Sequence, residues 1–482
     1  MSIILKYPAF LLLCIFVLSR ILLINFFGVI FEYDWVFQMW HFIDIELLKT
    51  KMLESIYYFH YQPPIFNFFL GLIHKQNIID PSLILRLFFY SLTYGIGLII
   101  YNLTKDLSSK SFFPFLITTI FYIFPETIIY ENWPIYTWTS SFLLVLSFYL
   151  LGKYNKDACP IHLQLFFISQ LVLILTRSAF HPVFFISWFF VLLIVYRQKK
   201  TEILKSFLPS LIIFLLVCIK NFNTFGFFGV GSGLGFSLYK ITPKKINEKP
   251  VEEILEVNHE FKINPVKSID QYGYGNKSIP EKFKDIEVLN VQFKSTLEKY
   301  GQEFSVNLGH FHYLEIAKKY QSSAIKIIKK YPVEYLKRVF RGTIMFFKPT
   351  WDHGFGVENN SKSLENYINI MTLNSVRLSL ENIFVSGKKP WPMKDGIPYT
   401  SYIFIPMLYI FVLLMMYKCN LINISRPEYL FVIFTVFYLM AVSNLIELAE
   451  NDRYRVMIDP LVFLVGSQCF LVLRRRNNTK NN

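Results

Sequence analysis

Charge is scarce in this chain: only 17% of its 482 residues are Asp, Glu, Lys or Arg, against roughly 25% in a soluble domain. That shortage excludes an ordinary water-soluble globule. Cysteine is scarcer still. The five, Cys14, Cys159, Cys218, Cys419 and Cys469, all lie outside the long polar stretch 222–395, so no disulfide framework holds that stretch together. His60, His74, His181 and His353 lack the spacing of zinc ligands, so no metal is expected. A divalent ion would be compatible with the chemistry below, but no residue pattern indicates one. The glycine run GVGSGLG (229–235) fits neither the dinucleotide nor the phosphate-loop pattern and reads as a flexible turn. No internal repeat is evident. A basic domain interleaved with exposed aromatics is missing too, so the net charge of +15 gives no basis for nucleic-acid binding.

What the chain has instead is apolar surface: 53% of residues are hydrophobic and 18% aromatic. Runs long enough to cross a bilayer (roughly 17–25 residues) recur in the first half and again in the last fifth. The first, 9–31, is too long for a secretion signal, carries Arg20 in its middle and lacks a small-residue cleavage pattern, so it reads as a retained span. Further spans are expected near 84–103, 111–130, 134–152, 162–180, 181–196, 206–221, 400–417, 428–446 and 457–473. The expectation is an all-α polytopic membrane protein of roughly ten transmembrane helices. Arg20, inside the first of them, is expected to be paired within the bundle.

The basic residues collect in short connections. TKDLSSK, GKYNKD, YRQKKTEILK, MYKCNLINISR and the tail RRRNNTK are all net basic, which puts them and the N-terminus in the cytoplasm. The opposite face then receives segment 32–80, PETIIYENWP, the turn after Arg177, the polar region 222–395 and ELAENDRYR. Three regions follow: an N-terminal transmembrane module 1–221, a mainly helical outer cap 222–395, and a C-terminal transmembrane module 396–482 with a basic tail. Within the cap, IPEKFKDIEVLNVQFKSTLEKYGQEF and HYLEIAKKYQSSAIKIIKKYPVEYLKRVFRGTIMFF look helical. Segment 32–80 is too interrupted to cross. Its stretch FQMWHFIDIELLKTKMLESI has the spacing of an amphipathic interfacial helix. In YFHYQPPIFNFF (58–69) the rings suit the membrane boundary and Pro63-Pro64 should end one helix and start another.

Ionisable residues gather at the outer ends of the spans. Asp34 follows the first, Glu126 and Glu131 share one short loop, Glu450 and Asp452 precede the last, and the cations are Arg177, Lys220, Arg453 and Arg455. Cations converging on one face suit a lipid-linked phosphate, since guanidinium groups bind phosphate oxygens in pairs. A carboxylate beside them could take a proton from an attacking hydroxyl. Together they describe group transfer from a lipid phosphate.

In order along the chain stand EYDW after the first span, HYQPPIFNFF at the interface, LTR ending a middle span, KNFNTFG before the outer region, YPVEYLKRVFRGTIMFFKP, and ENDRYRVMIDP entering the last span. The set resembles the polyprenyl-phosphate-sugar glycosyltransferases of the GT-C fold, the class of the protein O-mannosyltransferases and the aminoarabinose transferases of lipid A. The resemblance implies an inverting glycosyltransferase on the non-cytoplasmic face. Its donor would be a polyprenyl-phosphate-linked sugar, its acceptor a lipid or glycan of the envelope, and no nucleotide or other cofactor would be needed. It implies that Asp34 is the catalytic base, that Glu131 or Glu126 fills the second acidic position, and that Arg177, Lys220, Arg453 and Arg455 hold the donor phosphate. Gln62-Pro63-Pro64 matches a motif that commonly begins with Lys or His, so the charge there is missing and His60 is a substitute for it. Asp34 stands without the Asp-Glu pairing of the O-mannosyltransferases, which argues against protein Ser or Thr as acceptor. The abundance of Lys, Asn and Ile suggests an AT-rich bacterial genome, hence a bacterial plasma membrane. An O-antigen ligase or polymerase and a lipid-linked saccharide flippase are the competing expectations.

Overall fold

The computed structural model describes residues 7–108, 112–243, 245–246, 249–250, 268–295, 306–352, 356–385 and 387–480; His353 lies outside them. Apart from a pair of two-residue strands, Lys245–Ile246 and Lys249–Pro250, the regular structure among the described residues is helical. The first half runs α1 (Pro8–Phe27), α2 (Trp35–Gln38), α3 (Ile45–Thr50), α4 (Met52–Tyr58), α5 (Ile65–Lys75), α6 (Pro81–Lys105), α7 (Phe112–Ile123), α8 (Pro125–Glu131), α9 (Tyr136–Asp157), α10 (Pro160–Thr176), α11 (Pro182–Val195) and α12 (Lys200–Phe225). The second runs α13 (Leu234–Ile241), α14 (Glu287–Asn290), α15 (His312–Lys330), α16 (Pro332–Phe346), α17 (Glu358–Ser363), α18 (Glu365–Thr372), α19 (Asn374–Phe384), α20 (Tyr399–Lys418), α21 (Pro427–Ile446), α22 (Asn451–Val456) and α23 (Asp459–Lys480).

Local chemistry sets these boundaries. Proline occupies the first turn of α1, α6, α8, α10, α11, α16 and α21, where its missing N–H has no intrahelical partner to lose. Asp44 and Asp80 cap α3 and α6 by accepting from the backbone N–H of Glu46 and Ser82. The paired prolines Pro63-Pro64 act as expected: α4 ends at Tyr58, Pro64 is the residue before α5, and α5 runs back along α3.

Among the described residues, five helices are long and apolar enough to cross a bilayer: α1, α6, α12 with the turn before it, α20 and α21. The pair α7–α8, bent by 55° between Ile123 and Pro125, would add a sixth. The chain is therefore a multi-pass α-helical membrane protein by length and composition. The other expected spans fall on helices of a different character. α10 and α11 have 17 and 14 residues. α9 opens on the polar run TWTSS, whose groups bond inside the bundle: Trp138 Nε1 donates to Thr93 Oγ1 at 2.8 Å and Ser140 Oγ to Tyr136 O at 2.8 Å. α23 has an apolar stretch confined between Asp459 and Arg474.

The basic connections meet at one end of the bundle. Asn155 Nδ2 donates to Ser425 O at 3.0 Å, Tyr196 Oη to Asn155 Oδ1 at 3.1 Å, Tyr154 Oη to Glu202 Oε1 at 2.8 Å, and Arg476 to Lys418 O at 3.0 Å. Arg20 is paired in the bundle. Its Nε lies 2.7 Å from Glu131 Oε1, Nη2 donates to Glu131 Oε2 at 2.8 Å, and Nη1 donates to Tyr122 O at 2.8 Å. The last contact has a cause in the sequence. Glu126 lies beyond the bend at Pro125, so its N–H no longer reaches back to Tyr122 O, and the guanidinium takes over that carbonyl.

Between α12 and α20 the described residues depart from the expectation in three ways. The sequence from Pro280 forms a short 3-10 turn and α14 and then an extended bridge from Phe293 to Val306, with no single long helix in its described part. α16 does not stand apart as a cap: it packs along α21 and α22. The run 229–235 is more than a flexible turn. A Cβ on Gly231 would lie 2.9 Å from Tyr61 O, and one on Gly235 1.9 Å from Ala317 O, so glycine here lets α13 lie against α15 and the loop against Tyr61.

Candidate functional site

Opposite the basic end, segment 32–80, the end of α10, α13 and α22 close around a group of cations. Arg177 follows the last residue of α10, and Tyr438 of α21 fixes the loop behind it. Tyr438 Oη accepts from His181 N at 2.8 Å and donates to Ala179 O at 3.1 Å. Arg177 is buried, with 3% of its surface exposed. Its Nη1 donates to Thr137 Oγ1 and Met457 Sδ, both at 3.2 Å, and its guanidinium lies over Tyr454 (4.5 Å) and Tyr136 (5.2 Å). Among the described residues it has no ion-pair partner. Desolvating an unpaired guanidinium is costly, and such a group is poised for an anion.

Arg453 is also buried and lies over Tyr136 and Trp133, at 5.8 and 5.9 Å. Unlike Arg177, it is paired, with Glu450 Oε2 at 2.9 Å. Lys240, on α13, pairs with Glu447 at 3.3 Å. Burial opposes the Lys240 charge, but Glu447 and Glu450 outweigh it and hold its pKa above the ordinary lysine value. Three cations thus face two carboxylates, and the uncompensated charge sits on Arg177. His41 completes the group, stacked on Tyr61 at 6.1 Å and edge-on to Tyr136 at 5.9 Å. Burial, then Arg453, push its pKa well below the usual histidine value. Trp40 Nε1, which can only donate, donates to His41 Nε2 at 3.1 Å, so the neutral ring carries its proton on Nδ1.

The structure brings some of the sequence candidates together and separates others. Gln62 accepts from Ser178 Oγ at 3.1 Å, and Ser178 is the residue after Arg177. Pro63 and Pro64 hold that turn ahead of α5. Asp34 precedes α2, is exposed, and makes no side-chain hydrogen bond among the described residues. Its neighbour Trp35 meets Trp133 edge-on at 6.4 Å, and Trp133 is the ring under Arg453, which links Asp34 to the cation group. Lys220 is aimed elsewhere: its Nζ donates to Tyr57 O at 2.7 Å. His60 is fully buried, its Nδ1 lies 2.8 Å from Ser232 Oγ, and burial pushes its pKa down to about 3. A ring held neutral and enclosed in this way supplies no charge to a phosphate. Glu131 is spent on Arg20.

Glu126 and Arg455 belong to a second polar group. Glu126 accepts from Thr350 Oγ1, Arg455 donates to Phe346 O at 2.9 Å and Lys348 O at 2.8 Å, Arg455 Nη1 lies 3.1 Å from Asp459 Oδ2, and Tyr409 Oη donates to Asp459. This group floors a cavity of about 780 Å³ between α7, α20 and α23. Sequence reading missed Lys240, Glu447 and His41 as site residues. Lys240 and Glu447 lie some two hundred residues apart, and only their pairing across α13 and α21 marks them. Among the described residues no group of three or more His, Cys, Asp or Glu is placed to hold a metal.

No family model, curated protein or solved structure matches this chain, so the reading of the site rests on its own geometry.

Proposed function

We propose that this chain is an integral-membrane inverting glycosyltransferase of the GT-C architecture, moving a sugar from a polyprenyl phosphate to a hydroxyl of an envelope lipid or glycan on the non-cytoplasmic face of a bacterial plasma membrane. In this reading ten helices cross: α1, α6, the bent α7–α8, α9, α10, α11, α12, α20, α21 and α23. The single observation that carries the reading is Arg177, a buried guanidinium with no ion-pair partner among the described residues, near Arg453 and one residue from the contact of Ser178 with Gln62. Asp34 is exposed, and its neighbour Trp35 meets Trp133, the ring under Arg453.

The chemistry follows from these positions. Asp34 accepts the proton of the acceptor hydroxyl, whose oxygen attacks the anomeric carbon from the face opposite the phosphate. The bond between that carbon and the phosphate oxygen breaks, and the electron pair leaves with the polyprenyl phosphate. Charge grows on the phosphate in the transition state, where Arg177 and Arg453 are already oriented to receive it. Lys220 and Arg455, bonded elsewhere, take no part in this step, and Gln62 offers the phosphate an amide in place of a charge.

The test is release of free polyprenyl phosphate by purified protein from a radiolabelled polyprenyl-phosphate sugar pool with a crude envelope acceptor fraction. Acceptor-dependent release that disappears in Asp34→Asn and Arg177→Gln is expected. Release that persists in Asp34→Asn removes that residue as base and favours a ligase or polymerase. Lipid-linked sugar crossing a reconstituted bilayer without release makes the protein a transporter.

A further inference from the structure

The cavity between α7, α20 and α23 is not used by the transfer step above, and its two ends differ in kind. Its walls are Ile117, Phe404, Leu408, Phe411, Phe463 and Phe470. Phe404, Phe411 and Phe470 are 59%, 56% and 50% exposed, so the cavity opens sideways on a surface that α20 would turn to hydrocarbon. Its volume, about 780 Å³, is that of a small-molecule site. At the closed end stand Glu126, Asp459, Arg455 and Tyr409, with Arg377, Thr400 and Ser401 nearby. Arg377 Nε donates to Thr400 Oγ1 at 2.9 Å.

Two acidic and two basic side chains meet at this polar end, and Arg455 is already met by Asp459. A phosphate entering here would find its best cation already neutralised by Asp459. A hydroxylated, uncharged headgroup would not: its O–H groups can donate to Glu126 and Asp459, and its oxygens can accept from Arg455 and Arg377. We propose that this cavity binds a lipid with an uncharged, hydroxyl-rich headgroup, a glycolipid, its chain along α20 and α23 and its head against Glu126 and Asp459. The assignment of that lipid as the acceptor rests on the transferase reading; the binding itself does not. Arg177 and this cavity then divide two lipids by charge, the anionic donor at one site and the neutral acceptor at the other.

Trp351 lines the cavity and reports on it. The full chain in phosphatidylcholine nanodiscs is titrated with an alkyl glucoside brominated in mid-chain and, separately, with the same chain as an alkyl phosphate. Quenching is taken as the difference between wild type and Trp351→Phe. Saturable quenching by the glucoside is expected, at least tenfold weaker for the phosphate, and reduced at least tenfold by Ser467→Phe, which fills the cavity from α23. Leu408→Phe is the second filling variant if S467F does not fold. Arg177→Gln should leave the titration unchanged. Equal or tighter binding of the phosphate overturns the headgroup assignment, as does quenching that rises without saturation, which marks bulk lipid contact. Loss of binding in Arg177→Gln overturns the division into two sites. Saturable glucoside binding in a protein that releases no polyprenyl phosphate keeps the cavity and removes the transferase; release without such binding does the reverse.

Discussion

Replacing Glu131 by glutamine should destabilise the protein without disabling its chemistry. Glu131 is fully buried and faces Arg20 through two contacts, at 2.7 and 2.8 Å, across α1 and α8. The amide would keep one acceptor and turn the other position into a donor aimed at the guanidinium, leaving a buried cation without its counter-charge. Removing one partner of a buried pair costs about 3–5 kcal/mol. Arg20→Met should cost at least as much, because it also orphans the Tyr122 carbonyl at the α7–α8 bend, a loss of about 1–3 kcal/mol. The double variant Arg20→Met/Glu131→Leu leaves no buried charge and should recover most of the loss, since apolar replacement of a buried pair is often neutral. Reversible unfolding in mixed micelles, run as a double-mutant cycle, measures the coupling. Donor turnover per folded molecule in Glu131→Gln should stay near wild type. Wild-type stability in Glu131→Gln, with turnover abolished, would refute the reasoning and make Glu131 a working acid.

Three other outcomes are expected. Arg177→Gln should lower donor turnover about 10²–10³-fold, the usual loss when one oriented charge-stabilising group is removed, while thermal stability holds or rises because an unpaired buried cation is gone; retained turnover counts against the phosphate site. His60, whose pKa burial pushes down to about 3, is protonated in the unfolded chain below its ordinary value of 6.5 but not in the folded one. Folded stability should therefore fall as pH drops from about 6.5 toward 3, by about 1.4 kcal/mol per pH unit for one such group; an unfolding series at pH 7, 6 and 5 in wild type and His60→Asn reads the difference in slope. Gly235→Ala places its methyl against Ala317 O and should cost about 1–3 kcal/mol as overpacking, read as earlier proteolysis of α13–α15; an unchanged cleavage pattern removes the close-approach argument.

How much of this was legible beforehand depends on the range of each signal. The five long apolar helices announced themselves through their hydrophobic runs and the basic end through its lysines and arginines, because lipid and charge act on every residue alike. Pro63-Pro64 marked the start of α5 because proline constrains its own backbone. Pairing is another matter. Glu126 and Glu131 look equivalent five residues apart in one loop, yet the bend at Pro125 sends Glu131 to Arg20 and Glu126 to Thr350. Arg453 and Arg455, two apart on α22, part company in the same way: Arg453 faces Trp133 and Tyr136 around the start of α9, and Arg455 the carbonyls of Phe346 and Lys348 around the end of α16.

The sequence by itself therefore determined a helical, multi-pass membrane protein, since hydropathy, charge bias and proline placement are local and additive. Only the tertiary structure decided which charges are spent on one another and which is left over. That question is settled by contacts between residues hundreds of positions apart, and at membrane depth it determines whether an arginine such as Arg177 braces the bundle or waits for an anion.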